Sequence, residues 1–519
     1  MEPYLFEGDI FLSEKQALSI LMRLEGARNY RSLSSDPDAI WTQLPIKYRF
    51  HESLGKFETS QIMEAVNYWQ NNTCIRFEHV IEEPAGDFIE FFKGQGCYST
   101  IGRLGGRQGI SIGEGCERMG VIEHEIGHAL GLWHEQSRPD ANEYVKVEKD
   151  FVLHSYLCDF QRRGSDEIQT LGIPYDYGSV MHYGSTAFSI DGSSRTLITL
   201  DPLYQNTIGQ REKLSFYDIR IINEAYCSDK CSKSQSIKCM NGGYNHPNNC
   251  LQCICPRGYG GIHCDSNQEP KNADCGGMLK ATSDWTYLES PGYSDEGYTE
   301  NQECNWLIDS SHNHRIEIEF VDQFSFLCSN ICLDYVEIKL SKDQKNTGPR
   351  FCCDEKPKES FISEGSQIVV IFRTQATQDI GFRLRFRTTT NPYKPVRISE
   401  EITKSESPSH PSLKRDPDGL TEWGRWSECS RPCGGCGIQS RIRNCEADSC
   451  SICNLNACPI NANCHRLLFL NRLCDKGVCT NAADELASCN EPSCCPPFFY
   501  SDGKCIRDSP KAYTNIENQ

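Results

Sequence analysis

The sequence predicts a multidomain chain: an α+β domain with its own core, then a small disulfide-rich module, an all-β sandwich and further disulfide-bonded units. Three observations predict it. The chain has 519 residues, a length that suggests about three to five domains. Its 31 cysteines are sparse from about 32 to 228 and crowded beyond. Between 275 and 388 the hydrophobic pattern changes to a period of two.

The cysteines also predict a secreted, extracellular protein, because cytosolic chains rarely carry so many and closely spaced clusters form disulfide frameworks. An odd count leaves at least one cysteine free or bonded to another molecule. Lys and Arg total 53 against 71 Asp and Glu, a formal charge of −18. With no basic stripe, nucleic acid and anionic membrane are poor partners. No segment approaches the ~18 apolar residues of a membrane span. The opening "MEPYLFEGDIF" lacks the basic and long apolar regions of a signal peptide. The cysteines outweigh that, and a truncated or misassigned start reconciles the two.

Residues 1–31 read as an arm ending in "ARNYR", where Arg28 and Arg31 form an R-x-x-R pattern of the kind basic-site processing proteases cut. From 32 to 228 the few cysteines (Cys74, Cys97, Cys116, Cys158, Cys227) require a hydrophobic core. "SQIMEAVNYW" puts Ile62, Ala65, Val66 and Trp69 at i, i+3, i+4 and i+7, one helical face. "DFIEFF" and the Gly-rich "IGRLGGRQGISIG" supply strands and turns. "NNT" at Asn71 is a glycosylation sequon that secretion makes usable.

Residues 229–266 hold Cys231, Cys239, Cys250, Cys253, Cys255 and Cys264 in a stretch too small for a core, with more pairings than sequence alone can sort. From 275 to 388, "RIEIEF", "YVEIKL" and "GFRLRFR" alternate apolar and polar residues, as half-buried antiparallel strands do. Residues 389–418 are rich in Pro, Ser, Thr and charge and form a linker. In 420–459, Trp423 and Trp426 are placed to alternate with Arg441 and Arg443 in a cation–π stack. The tail, 460–510, is a separate cysteine-rich unit of unknown type.

The sharpest chemical signal is "HEIGHALGLWHE". His124 and His128 lie four apart, so on a helix both imidazoles leave one face and share an ion. Glu125 lies between them, able to reach water at the metal without ligating. Gly131 lets the chain turn out of the helix and bring His134 round as third ligand. Three protein ligands leave an open position, as a catalytic zinc requires. Such an ion activates water and polarises a carbonyl, with Glu125 as general base. About fifty residues on, "SVMHY" supplies the methionine that metzincin peptidases place in a turn beneath the metal. Metal-dependent proteolysis is the expectation. The rival, a silent extracellular matrix-binding adaptor, is disfavoured because Glu125 and all three histidines are present.

In the zinc motif, in "GCYSTIGRLGGRQGISIGEGC" and in "SVMHY", residues 6 to about 228 resemble the astacin family, and Glu135 after the third histidine separates them from other metzincins. The resemblance implies that Tyr183 is a movable further zinc ligand and Met181 the turn methionine. It pairs Cys74 with Cys227 and Cys97 with Cys116; Cys158 has no counterpart in that pairing, and its partner is unknown. The F-x-G-D of "FEGD" matches the proregion motif whose aspartate, here Asp9, occupies the metal's open position. Cleavage after Arg31 by an activating protease then frees Ser32, whose amino group is expected beside Glu135. Arg211, in "IGQR", matches the arginine that gives several astacins a preference for acidic residues after the cut; an ordinary surface arginine is the alternative.

The stretch 229–266 resembles an EGF-like module, which implies Cys231–Cys250, Cys239–Cys253 and Cys255–Cys264. "CGGMLKATSDWTYLESPGY", "CNWLI" and "LDYVEI" resemble a CUB domain, with Cys275 and Cys304 disulfide-bonded. Asp334 matches one of the three acidic calcium ligands of many CUB domains. Ser325 and Thr374–Gln375 stand where the other two would align, which argues against calcium. "WGRWSECSRPCGGCGIQSRIRNC" resembles a thrombospondin type-1 repeat, in which Cys436 is additional. Together the modules resemble those of the nematode astacins of hatching and moulting, which implies protein substrates of matrix or cuticle type.

Overall fold

The computed structural model describes residues 5–12, 16, 39–164, 168–232, 236–293, 296–311, 314–328, 331–375 and 379–393, and four strands between 437 and 507. Arg28, Arg31, Ser32, Trp423, Trp426 and the side chains of Cys158, Arg441 and Arg443 lie outside them.

The first core forms where a helix covers a sheet. Strands β1 (Ile46–Phe50), β2 (Phe77–His79), β3 (Phe88–Phe92), β4 (Cys97–Tyr98) and β5 (Arg107–Ile112) lie in the order β2-β1-β3-β5-β4. All pair in parallel except β4, which runs antiparallel on β5. Helix α1 (Lys56–Asn72) buries Ile62, Ala65, Val66 and Trp69, the face its spacing predicts. Helix α2 (Met119–Ala129) is buried almost all round, as an apolar helix at the centre of a domain must be. Trp69 joins the two helices by donating from Nε1 to the Glu123 carbonyl at 3.2 Å. Helix α3 (Phe216–Tyr226) starts at a capping box in which Ser215 and Asp218 satisfy each other's backbone N–H groups. Disulfides join Cys74 to Cys227 and Cys97 to Cys116.

A second core lies between two sheets. One runs Gly277–Ala281, Glu303–Ser310, Gln367–Arg373, Tyr335–Lys339, Arg350–Phe351; the other runs Thr286–Glu289, Gly381–Thr389, Arg315–Ser325, Phe361–Ile362. Arg315–Phe320 shows the expected alternation. Tyr335–Lys339 does not: all five residues are buried. The reason is that this sheet has no solvent face there. Glu337 receives Arg350 and the Gly348 N–H, and Lys339 donates to the Gln344 carbonyl. Further along the sheet, Leu307, Val369 and Ile371 pack against Cys253, Tyr259 and Cys264 of the cysteine-rich module.

That module carries Cys231–Cys250, Cys239–Cys253 and Cys255–Cys264. In the sandwich Cys275 bonds Cys304, and two bridges not read from the sequence join Cys328 to Cys353 and Cys332 to Cys352. The α+β domain, the module and the sandwich belong to one compact unit. Its hub is Glu212, whose carboxylate meets Arg257 of the module and Arg350, Arg373 and Tyr335 of the sandwich.

The other unit contains residues 404–519. There Gly437–Glu446 pairs antiparallel with His465–Cys474. That pairing crosses the boundary expected between 420–459 and 460–510.

Candidate metal centre

Three imidazoles converge because three different backbone features aim them. His124 and His128 leave one face of α2. The helix ends at Gly131, whose φ of +105° is left-handed backbone that glycine tolerates. The chain then turns back and delivers His134 at the start of Glu135–Ser137.

Each Nδ1 is held by an oxygen: His124 by the Val180 carbonyl at 2.9 Å, His128 by the Leu132 carbonyl at 2.8 Å, His134 by the Glu7 carboxylate at 2.7 Å. A carbonyl can only accept, so Nδ1 carries the proton on His124 and His128 and their Nε2 lone pairs face inward. Burial, helped by Arg211, pushes His124 down to about 3, and burial also lowers His128. Both are neutral, the form that ligates a metal. Burial would lower His134 as well, but the Asp9 and Glu7 carboxylates outweigh it and push His134 up to about 9.

Asp9 sits among the three. Its carboxylate lies 3.1 Å from His124 Nε2, 3.6 Å from His128 Nε2 and 3.2 Å from His134 Nε2. The four donor atoms fall within 4.8 Å of one another, the one such group of metal-binding side chains among the described residues. Asp9 Oδ1, His128 Nε2 and Glu125 Oε2 are buried without a hydrogen-bond partner. Buried polar atoms are nearly always satisfied, and three orphans where three imidazoles and a carboxylate converge fit one zinc ion with oxygen and nitrogen ligands.

The surroundings are equally fixed. Met181 lies under α2, where a Cβ on Gly127 would come within 3.1 Å of its sulfur, and its carbonyl accepts the Glu135 N–H at 3.0 Å. Asp218 ties that turn to α3 by accepting from Ser179 Oγ at 2.6 Å and the Val180 N–H at 2.9 Å. Glu125 is buried, and burial with Asp9 beside it raises its carboxyl well above the usual range. Glu135 pairs with Arg138 at 3.1 Å and accepts the Asp176 N–H at 2.8 Å. Arg211 donates to the His182 and Gln210 carbonyls, with its charge felt by Asp9, Glu125 and Tyr183. Tyr183 stands with its ring centroid 4.6 Å from that of His134, but its hydroxyl donates to the Glu7 carbonyl.

The arm is seated by more than Asp9. Phe6 and Ile10 exchange two backbone hydrogen bonds, making a tight turn. Ile10 then bridges Ser99 in parallel register beside β4. Gly8 has φ +80°, and a Cβ there would lie 2.4 Å from the Phe188 ring. Glu7 is fully buried, bound to His134 and Arg163.

Away from this centre, Asn71 is exposed near the end of α1. In the sandwich, Asp334 accepts from the Gln375 N–H and Tyr298, and Ser325 donates to Asp379. Sequence reasoning missed Glu7, Arg163, Asp218 and Glu212. Only Asp218 left a readable signal, the S-x-x-D of "LSFYDI" before an apolar run.

Residues 33–227 match the family model described as Astacin, a peptidase family, and residues 275–386 match that of the CUB domain. The chain is 53% identical to zinc metalloproteinase nas-36 of Caenorhabditis elegans, over 99% of this chain and 84% of that protein. It is also 53% identical to zinc metalloproteinase nas-36 of Haemonchus contortus, over 98% of this chain and 85% of the relative. Among solved structures it is similar to high choriolytic enzyme 1, a hatching enzyme zinc-protease from the medaka fish Oryzias latipes. That likeness has 35% identity and a TM-score of 0.35, and covers 37% of this chain and 96% of the other.

Proposed function

The chain belongs to the astacin family of zinc metalloproteinases, and on that premise we propose that it is a secreted endopeptidase made as a zymogen, with Asp9 as the latency switch. The observation that carries this reading is the Asp9 carboxylate among three histidine Nε2 atoms, with Glu125 alongside.

His124, His128 and His134 hold the zinc, which when bound acidifies water and polarises the scissile carbonyl. Glu125, on the same helix as two of the ligands, takes the proton of the attacking water and returns it to the leaving amine. Tyr183, released from the Glu7 carbonyl once the arm is gone, donates to the oxyanion that develops. Arg211 favours an acidic residue after the cut by charge complementarity. Cutting after Arg31 frees Ser32 to dock by Glu135, a placement supported by the neighbouring cavity, in whose lining Asp176 Oδ2 and Tyr217 OH lack hydrogen-bond partners. Substrates of matrix or cuticle type, with the EGF-like, CUB and thrombospondin-like modules as docking elements, rest on the family resemblance.

The test is peptide-library cleavage by the full chain before and after trimming at Arg31. Cleavage should appear on trimming and vanish with a zinc chelator. A trimmed, zinc-loaded chain that cuts nothing sinks the peptidase reading in favour of the adaptor. A companion prediction concerns the switch. Asp9→Ala should raise activity of the untrimmed chain at least tenfold, because about 1.4 kcal/mol of lost arm binding suffices. Gly8→Ala should act in the same direction, since its Cβ meets Phe188. Equal latency in all three untrimmed proteins would remove Asp9 from its role.

A further inference from the structure

Glu7 is recognised as a whole residue. Its N–H donates to Asp159 Oδ1 at 3.1 Å, and its carbonyl accepts from the Tyr183 hydroxyl. One carboxylate oxygen takes Arg163 Nε at 2.9 Å and a terminal guanidinium nitrogen at 2.8 Å; the other takes His134 Nδ1 at 2.7 Å. The arginine is no surface group. Its side chain is 6% exposed, and its guanidinium lies 4.3 Å over the Phe6 ring and 5.6 Å from that of Trp133. Arg163 is anchored through its own N–H to the Ser137 carbonyl at 2.7 Å.

Both Glu7 and Phe6 belong to the arm, so its removal uncovers Arg163 and takes away the carboxylate that neutralises it. A desolvated guanidinium with a planar donor fork beside a catalytic centre selects a carboxylate. We propose that Arg163 and His134 Nδ1–H form an acid-binding subsite in the trimmed enzyme, which accepts a Glu or Asp side chain of a peptide substrate where Glu7 sits in the zymogen. The subsite is separate from Arg211, which is held by the His182 and Gln210 carbonyls and whose charge acts on His124 and Glu125. The arm thus blocks two sites at once, the metal with Asp9 and a specificity pocket with Glu7. A substrate enters extended, so the claim concerns the side-chain pocket and not the turn the arm makes around Gly8.

This inference rests on the peptidase reading, and its test separates the two. The trimmed full chain is profiled on peptides that carry Glu or Gln at each position around the cut, as wild type, Arg163→Gln, Arg163→Lys and the exposed neighbour Arg162→Gln. At one position the Glu-to-Gln ratio of kcat/KM should fall about tenfold or more in Arg163→Gln, as expected for a lost charge-assisted hydrogen bond. It should fall less in Arg163→Lys and stay put in Arg162→Gln, and the Arg211-dependent preference should persist. A second measurement needs no variant: the peptide FEGDIF should inhibit wild type at least tenfold better than FQGDIF. Acid preference that survives Arg163→Gln, or equal inhibition by the two peptides, overturns the subsite alone. No cleavage of any peptide by trimmed wild type overturns the peptidase reading, and this one with it.

Discussion

Replacing Glu125 by glutamine is expected to lower kcat of the trimmed chain by about two to four orders of magnitude, the range of a lost general base. The argument is geometric. Glu125 sits between His124 and His128 on a buried helix, and its Oε2 has no hydrogen-bond partner. A buried carboxylate kept free of partners is costly, so its persistence points to a group that arrives with the reaction. Glutamine keeps the size of the side chain but cannot take a proton. The loss should therefore fall on kcat with KM nearly unchanged. Zinc content and the unfolding midpoint should stay at wild-type values, which separates lost chemistry from lost structure. A fall smaller than tenfold, with zinc in place, would assign the proton transfer to another group.

Much of this centre was legible because its parts are close in sequence. The histidine spacing, the glycine at the helix end and the S-x-x-D box each act over a few residues, and local geometry follows from local sequence. The buried face of α1 was legible for the same reason. Glu7 was not. In F-x-G-D it occupies the unspecified position, and its partner Arg163 lies 156 residues away. Glu337 and Lys339 misled in a related manner. Alternation along "YVEIKL" states only that two kinds of face exist, and polar residues normally mark the wet one. Here that face is covered, and the cost of burying charge is met by Arg350 at Glu337 and by the Gln344 carbonyl at Lys339, which periodicity cannot register.

Glu212→Ala is the structural counterpart, expected to cost about 3–5 kcal/mol, the penalty for breaking a buried ion pair from one side. Glu212 follows Arg211, and a Cβ on Gly120 of α2 would lie 2.3 Å from the Arg211 carbonyl oxygen. Its carboxylate is 6% exposed and faces Arg257, Arg350 and Arg373. Burial alone would raise its pKa, yet the charges of Arg373, Arg257 and Arg350 hold it well below 4.5. A folded pKa below the unfolded value contributes stability that is fully present above about pH 4.5 and lost as pH falls through the folded value. Alanine removes the acid shared by the three guanidinium groups: Arg350 keeps Glu337 and Arg373 keeps Glu303, but Arg257 loses its ion pair. The α+β domain should then uncouple from the module and the sandwich, so that urea unfolding of the full chain shows a lower first midpoint and a separate second transition. Glu212→Gln should fall between, since it keeps the hydrogen bond from Tyr335 and loses the charge. A single transition at the wild-type midpoint in Glu212→Ala would mean that apolar packing holds the three parts together without the cluster. Because Glu212 and Arg211 are adjacent, the alanine variant should also weaken any Arg211-dependent acid preference, linking the docking of the sandwich to the choice of substrate.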